Sequence, residues 1–240
     1  MKSIKWFFIA LVAVVSAANA QALRVDDLPL TEVSPSADSV TGSASSILVV
    51  FLTGDGGWAT LDKSIAKELA AHGAAVVGFN SRSYIEHQHD PAEFGRDVER
   101  VIQYYMPLWK RTRVVIVGYS RGAELAPFAV TRLPEDVRSH VELLAMLGLS
   151  PGASFHFHFE DLFRNVVRSS DLPTIPEIQK LKGMRILCVY GKDEDVSACR
   201  NAPPGLMSVV ERPGAHHFDD NYQLLGRIIL NALSSSHPTA

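Results

Sequence analysis

The sequence has little cysteine, no run of basic residues and, after its first twenty residues, no long apolar stretch. A formal net charge of −3 without a basic run argues against a nucleic-acid partner. No later segment approaches the roughly 20 apolar residues that a membrane span needs. The two cysteines, Cys188 and Cys199, have too few further ligands nearby for a metal site. Eleven positions apart, they are predicted to form a disulfide in an oxidising compartment.

The N-terminus has the pattern of a secretory signal peptide over residues 1–20. A start that contains Lys2 and Lys5 precedes an uncharged apolar run, and Ala18-Asn19-Ala20 forms an A-x-A cleavage site. The residue directly after the cleavage site is not a cysteine, so a lipoprotein anchor is not indicated. We therefore expect an exported, soluble mature chain without a transmembrane segment. Its first part, 21–45, is predicted to be a leader or a weak edge strand, and 46–240 one domain.

Apolar runs that alternate with helical patterns predict the fold class. Continuous apolar runs are typical of strands buried on both faces of a parallel sheet. The sequence therefore predicts an α/β fold with a mainly parallel sheet, helices on both faces and a minimal cap. The strict alternation of 155–159 predicts a further, half-exposed strand, and 161–182 is expected to be irregular. The predicted main strands are 47–52, 74–79, 114–117, 141–149, 186–190 and 208–210.

The segment Gly118-Tyr119-Ser120-Arg121-Gly122 lies between an apolar run and a helix-forming stretch. A strand, a sharp turn with serine at its apex and a helix form a nucleophile elbow. The serine there has a strained backbone, and side chains larger than glycine two positions to either side would collide with the neighbouring strand and helix. Ser120 is therefore the predicted catalytic nucleophile.

A serine nucleophile needs a base and an acid that orients the base, in the order serine, acid, histidine for this fold. The acid is expected in Gly191-Lys192-Asp193-Glu194-Asp195, directly after a strand. Glu194 is favoured because the acid usually lies three residues beyond the glycine, and Asp195 is the alternative. The base is expected in Pro213-Gly214-Ala215-His216-His217, where counting from the Pro-Gly turn favours His217 and leaves His216 as the alternative.

The glycine-rich loop 53–58 follows the first buried strand and is predicted to supply part of an oxyanion hole. The backbone N–H groups of Asp55 and Arg121 are the expected donors. Trp58 closes this loop and is a candidate substrate-binding residue. No Gly-Lys-Ser/Thr follows, which argues against a phosphate-binding loop, and we expect no cofactor.

Two pairs of histidines raise the question of a metal. His87 and His89 lie in a loop, and His156 and His158 share one face of the predicted strand. Neither pair has a third ligand at a recognised spacing, so we expect no metal site.

With these residues in view, the chain resembles the bacterial virulence protein family of VirJ and the C-terminal half of AcvB, within the α/β-hydrolase superfamily. The resemblance rests on LTGDGGWATLD (52–62), VGYSRGAELAPFA (117–129), CVYGKDEDVSAC (188–199) and RPGAHHFDDNY (212–222). It implies a periplasmic protein with Ser120 as nucleophile, His217 as base and Glu194 or Asp195 as acid. It further implies a hydrolase that removes the aminoacyl group, typically lysyl or alanyl, from aminoacyl-phosphatidylglycerol at the membrane surface.

The chain departs from the family pattern near the pocket. Arg121 stands where an aromatic residue is common, and Glu124 where aspartate is common. Glu124 is a candidate for binding the substrate's ammonium group, as are Asp55 and the spare acids at 193–195. The resemblance also implies an alternative function: a non-catalytic periplasmic accessory protein of type IV secretion that binds secretion components or exported effectors on a hydrolase scaffold.

Overall fold

The structure is a computed structural model that describes residues 23–35, 42–87, 89–157 and 168–235. The predicted signal peptide lies outside these residues. The strands, in chain order, are β1 (Leu30–Val33), β2 (Ile47–Leu52), β3 (Ala75–Phe79), β4 (Arg113–Tyr119), β5 (Val141–Leu147), β6 (Gly152–Ala153), β7 (Leu172–Pro173), β8 (Ile186–Gly191) and β9 (Ser208–Arg212). The helices are α1 (Thr60–Ala71), α2 (Ser81–Ile85), α3 (Pro91–Leu108), α4 (Arg121–Val130), α5 (Glu135–Arg138), α6 (Thr174–Ile178) and α7 (Tyr222–Ser234).

A seven-stranded sheet in the order β1-β3-β2-β4-β5-β8-β9 forms the centre of the fold. All neighbouring pairs are parallel except β1 and β3, which are antiparallel at one edge. The predicted fold class is therefore confirmed. Residues 30–33, in the segment predicted to be a leader or a weak edge strand, form that edge strand.

Successive residues of each central strand face opposite layers of helices, because side chains alternate across a sheet. On β2, Leu48 and Val50 pack in the cluster that contains residues of α3 and α4. Val49 and Phe51 pack in the cluster that contains residues of α1 and α7. Burial on both faces is the reason that this strand is a continuous apolar run.

The strand predicted over 155–159 is wrong for its described part, because Ser154–Phe157 form no strand. The side chain of Ser154 donates to the carbonyl of His156 and accepts from its N–H, which bends the chain locally. Phe155 is buried against Phe94 and Phe128. The alternation of aromatic residues thus arises from one core anchor followed by a turn; His158 and Phe159 lie outside the described residues.

The active-site candidates follow β4, β8 and β9, three strands in one half of the sheet. Ser120 follows β4, Glu194 follows β8 and His216 follows β9. In a parallel sheet all strands end on the same side, and ligands bind beyond these carboxyl ends in folds of this kind. The topology therefore brings distant parts of the chain together on this side.

Asp62, in the first turn of α1, is a carboxylate in an unfavourable environment. Its side chain is 1% exposed. Oδ2 accepts the Ala59 N–H at 3.0 Å, and Oδ1 has no partner among the described residues. Burial raises the pKa of Asp62 from 3.8 to about 6. The folded protein therefore holds this proton more tightly than the unfolded chain, and stability falls as pH rises through that interval.

We expect Asp62→Asn to raise the free energy of unfolding by about 3 kcal/mol near pH 8 and by less than about 1 kcal/mol near pH 4. Asparagine removes the buried charge and keeps an oxygen for the Ala59 N–H. Urea unfolding of both proteins at the two pH values measures the difference. An equal change in the free energy of unfolding at both pH values would contradict the explanation by a buried charge.

Candidate active site

Ser120 occupies the turn between β4 and α4 with a strained backbone, φ 52° and ψ −117°. A positive φ is costly for a residue other than glycine and is kept only where the surroundings enforce it. A Cβ added at Gly122 would lie 2.0 Å from the Leu52 carbonyl oxygen, and one added at Gly118 would lie 2.3 Å from the Gly122 oxygen. Both glycines of the motif are therefore required sterically.

His216 lies beside Ser120, with its Nε2 2.8 Å from the Ser120 Oγ. The sequence favoured His217, but the structure brings its alternative, His216, to the serine. The exposed His217 directs its Nδ1 to the Tyr119 hydroxyl at 3.1 Å. Phe218, the next residue, is buried in the core and is followed by two residues with positive φ. This anchored turn sets the orientation of the two histidines, and counting along the sequence does not reveal it.

Glu194 is the residue of the acidic loop that reaches His216. Its Oε1 is 3.3 Å from the His216 Nδ1, within ion-pair range but not aligned as a hydrogen bond. The same oxygen accepts the Gly191 N–H at 3.3 Å. Glu194 is 6% exposed, whereas Asp193 and Asp195 are exposed. Of the two expected acids, the structure therefore brings Glu194 and not Asp195 to the histidine.

A disulfide joins Cys188 in β8 to Cys199, with a Cα–Cα distance of 5.6 Å. The segment between them includes Glu194. Both cysteines are buried, and the disulfide predicted from the sequence is present. The covalent link restricts the loop that carries the carboxylate.

Sequence reasoning missed two residues of the site, Gly148 and Tyr119. Gly148 follows β5 with φ +65°, and a Cβ there would lie 2.6 Å from the His216 ring. The Tyr119 hydroxyl is 3.1 Å from the His217 Nδ1 and 3.3 Å from the His216 carbonyl oxygen. Burial raises the pKa of Tyr119 above its usual range, which keeps the phenol protonated. In the sequence, only position points to these two residues: Gly148 comes at the end of a strand, and Tyr119 comes directly before Ser120.

The loop after β2 closely approaches Ser120. A Cβ added at Gly54 would lie 3.2 Å from the Ser120 Cβ, so glycine permits the approach. Within the described part of the chain, the Asp55 N–H has no hydrogen-bond acceptor. The Arg121 amide lies at the N-terminal end of α4, where helix N–H groups favour negative charge. The loop that carries Asp55 thus lies next to Ser120, and Arg121 directly follows the serine.

The predicted substrate-binding residues have contacts of their own. The Trp58 ring packs edge-on against Phe51. The ring also lies over Gly78, where an added Cβ would be only 2.4 Å from it. Glu124 accepts a hydrogen bond from Arg121 at 2.6 Å. Trp58 thus contributes to core packing beside α1, and Glu124 is engaged by a cation of the same helix.

The structure brings His89 and His156 to one cavity of about 440 Å³. His89 stacks on Tyr84 and lies 3.6 Å from Glu93. Within residues 23–35, 42–87, 89–157 and 168–235, no group of three or more His, Cys, Asp or Glu side chains is arranged to hold a metal ion. Nor does any helix in these ranges have the length and apolar character needed to cross a bilayer.

The sheet, the elbow and the order of serine, acid and histidine define the α/β-hydrolase class. A family model described as bacterial virulence protein (VirJ) matches residues 46–237. The chain therefore belongs to the VirJ family. No curated protein matches it.

Solved structures resemble the chain at the level of the fold. A serine hydrolase without a lid, XC6422 from Xanthomonas campestris, has a TM-score of 0.56 at 13% identity, covering 88% of this chain and 90% of its own. The protein Est1E from Butyrivibrio proteoclasticus, with ferulic acid bound, has a TM-score of 0.58 at 14% identity, covering 89% of this chain and 99% of its own. The type II thioesterase BorB from the borrelidin biosynthetic cluster has a TM-score of 0.56 at 16% identity, covering 85% and 97%.

Proposed function

We propose that this chain is a periplasmic serine esterase with a triad of Ser120, His216 and Glu194. The observation that carries the proposal is the 2.8 Å contact between the Ser120 Oγ and the His216 Nε2, with Glu194 3.3 Å from the opposite ring nitrogen. Catalytic contacts are often long in the absence of substrate and tighten when it binds. Glu194 then holds the tautomer in which Nε2 accepts the serine proton.

In the first half of the reaction, Ser120 attacks the ester carbonyl while His216 takes its proton. The Asp55 and Arg121 amides donate to the developing oxyanion, which is the role that most lowers the barrier in such sites. The tetrahedral intermediate collapses, and the leaving alcohol takes the proton from His216. In the second half, water attacks the acyl-enzyme by the same route and releases the acid.

The substrate proposed is aminoacyl-phosphatidylglycerol carrying lysine or alanine, on the basis of the VirJ family. A disulfide is compatible with an oxidising, extracytoplasmic location, where this lipid would be accessible from the outer leaflet. Asp55 and Glu124 are both engaged by Arg121. The exposed Asp193 and Asp195 beside Glu194 are therefore the better candidates for attracting the substrate's ammonium group.

The test uses phosphatidylglycerol vesicles that contain lysyl- or alanyl-phosphatidylglycerol. We expect the mature protein to release free lysine or alanine, and Ser120→Ala to lower this rate by at least about 10³-fold. Ser139→Ala is the matched control, because its hydroxyl donates to the Asp136 carbonyl, outside the site, and has no other side-chain hydrogen bond among the described residues. Turnover of a simple nitrophenyl ester without release from the lipid would contradict the substrate. No turnover of any ester by folded protein would favour the accessory function.

A further inference from the structure

The side chain of Arg121 is a buried cation that joins separate segments next to the nucleophile. It is 6% exposed. Its Nη2 is 3.3 Å from the Asp55 Oδ2, and its Nε is 3.4 Å from the Asp55 Oδ1. Its Nη1 donates to the Glu124 carboxylate at 2.6 Å and lies 3.5 Å from the Ser154 carbonyl oxygen. One guanidinium thus contacts the loop after β2, the first turn of α4 and the segment after β6.

Arg121 and Asp55 are also the two residues whose backbone amides are the proposed oxyanion donors. Their side chains therefore connect the two halves of one functional site. A second arginine supports the same loop, because Arg82 donates from Nη1 to the Asp55 carbonyl oxygen at 3.3 Å. Asp55 is thus held through both its carboxylate and its backbone.

The loop needs such restraint because it is rich in glycine. Gly54, Gly56 and Gly57 surround Asp55, and glycine loses more conformational freedom on ordering than any other residue. Oxyanion donors are effective only when they are fixed before the reaction begins. A buried ion pair, in contrast, contributes little net stability, since desolvation offsets the attraction. The position of this pair is therefore better explained by geometry than by stability.

We propose that the Asp55–Arg121 ion pair is a clamp that fixes the spacing of the two oxyanion donors. Asp55 and Arg121 act through their side chains as positioning residues and through their backbone amides as donors. The inference rests on the proposed esterase function and adds a role for the arginine that departs from the family pattern.

The clamp is tested with Asp55→Asn, Arg121→Met and the double variant, which leave both backbone amides in place. Each single variant is expected to lower kcat for a nitrophenyl ester by about 10- to 100-fold, with KM changed less than about twofold, because the donors act on the transition state. Affinity for a trifluoromethyl ketone, which forms the oxyanion, should fall by the same factor as kcat/KM. The double variant should lose no more than Arg121→Met alone, since both substitutions break the Asp55–Arg121 contact and only Arg121→Met also breaks the contacts with Glu124 and Ser154.

Two further variants separate the clamp from a merely structural effect. Arg121→Lys keeps the charge without the two-pronged geometry and should recover part of the kcat that Arg121→Met loses. Glu177→Gln removes a carboxylate whose side chain is 6% exposed, against 12% for Asp55, from an ion-pair network with Arg132 and Lys180. It should lower the melting temperature without changing kcat.

The outcomes distinguish the clamp from the underlying function. If wild-type protein hydrolyses the ester and the variants have the same kcat, with or without a changed KM, the clamp proposal is overturned and the proposed esterase function stands. Additive losses in the double variant, or a loss of kcat in Glu177→Gln as large as in Asp55→Asn, also overturn it. If folded wild-type protein forms no adduct with the trifluoromethyl ketone and hydrolyses no ester, both the proposed function and the clamp proposal fail.

Discussion

His216→Ala is expected to lower kcat/KM for an ester by roughly 10⁴- to 10⁶-fold, whereas His217→Ala should stay within about tenfold of wild type. Only His216 has a nitrogen, Nε2, at 2.8 Å from the Ser120 Oγ. Without it, the serine hydroxyl has no base to accept its proton. His217 contacts the Tyr119 hydroxyl instead, so its removal disturbs only the support of the loop.

Steady-state kinetics of the two variants, with circular dichroism to check folding, measure this difference. His217→Gln provides a second control, because it keeps a polar side chain beside Tyr119. The opposite ranking, with His217→Ala inactive and His216→Ala active, would show that the loop adopts a different arrangement during catalysis and would contradict the triad.

Glu194→Gln is expected to lower kcat by about 10³- to 10⁴-fold, with little change in KM. Glutamine has nearly the same shape, but its neutral amide neither stabilises the imidazolium of His216 nor reliably holds the correct tautomer. The Glu194 carboxylate is 4% exposed and lies 3.3 Å from the His216 Nδ1, so solvent cannot replace it easily. With an uncharged nitrophenyl ester, which has no ammonium group to attract, Asp195→Asn should retain nearly full activity, because its side chain is exposed.

With the same uncharged ester, Asp193→Asn is a further control in the same loop. All three variants change one carboxyl to an amide, so a difference among them reports position and not chemistry. Comparable losses in Glu194→Gln and Asp195→Asn would contradict the assignment of a single acid. A loss confined to Asp195→Asn would transfer the role to that residue.

The sequence contained most of the fold because the central strands are continuous apolar runs. Such a pattern is specific to strands covered on both faces, and Ile47–Leu52 was predicted with the bounds that the structure has. The elbow at Ser120 could also be predicted from the sequence, because contacts with Leu52 and with α4 allow only glycine at two positions of the motif. The order of strands and helices then placed the acid and base loops at the correct edge.

The sequence could not choose between adjacent loop residues. His216 and His217 differ in orientation, which depends on the burial of Phe218 and the space left by Gly148. For the acid, the position after Gly191 favoured Glu194, and in the structure this residue differs from its acidic neighbours in burial and in its contact with His216. The contacts between Arg121 and Asp55 join residues 66 positions apart, and no local pattern encodes them. These choices depend on tertiary packing.

The most direct test of the central claim is reaction with a fluorophosphonate, which modifies only an activated serine, followed by mass spectrometry of the proteolysed protein. The account predicts a single adduct on Ser120 in wild type, and no adduct in Ser120→Ala or, on the same time scale, in His216→Ala. Folded wild-type protein that remains unlabelled, or carries the adduct on another serine, would contradict it.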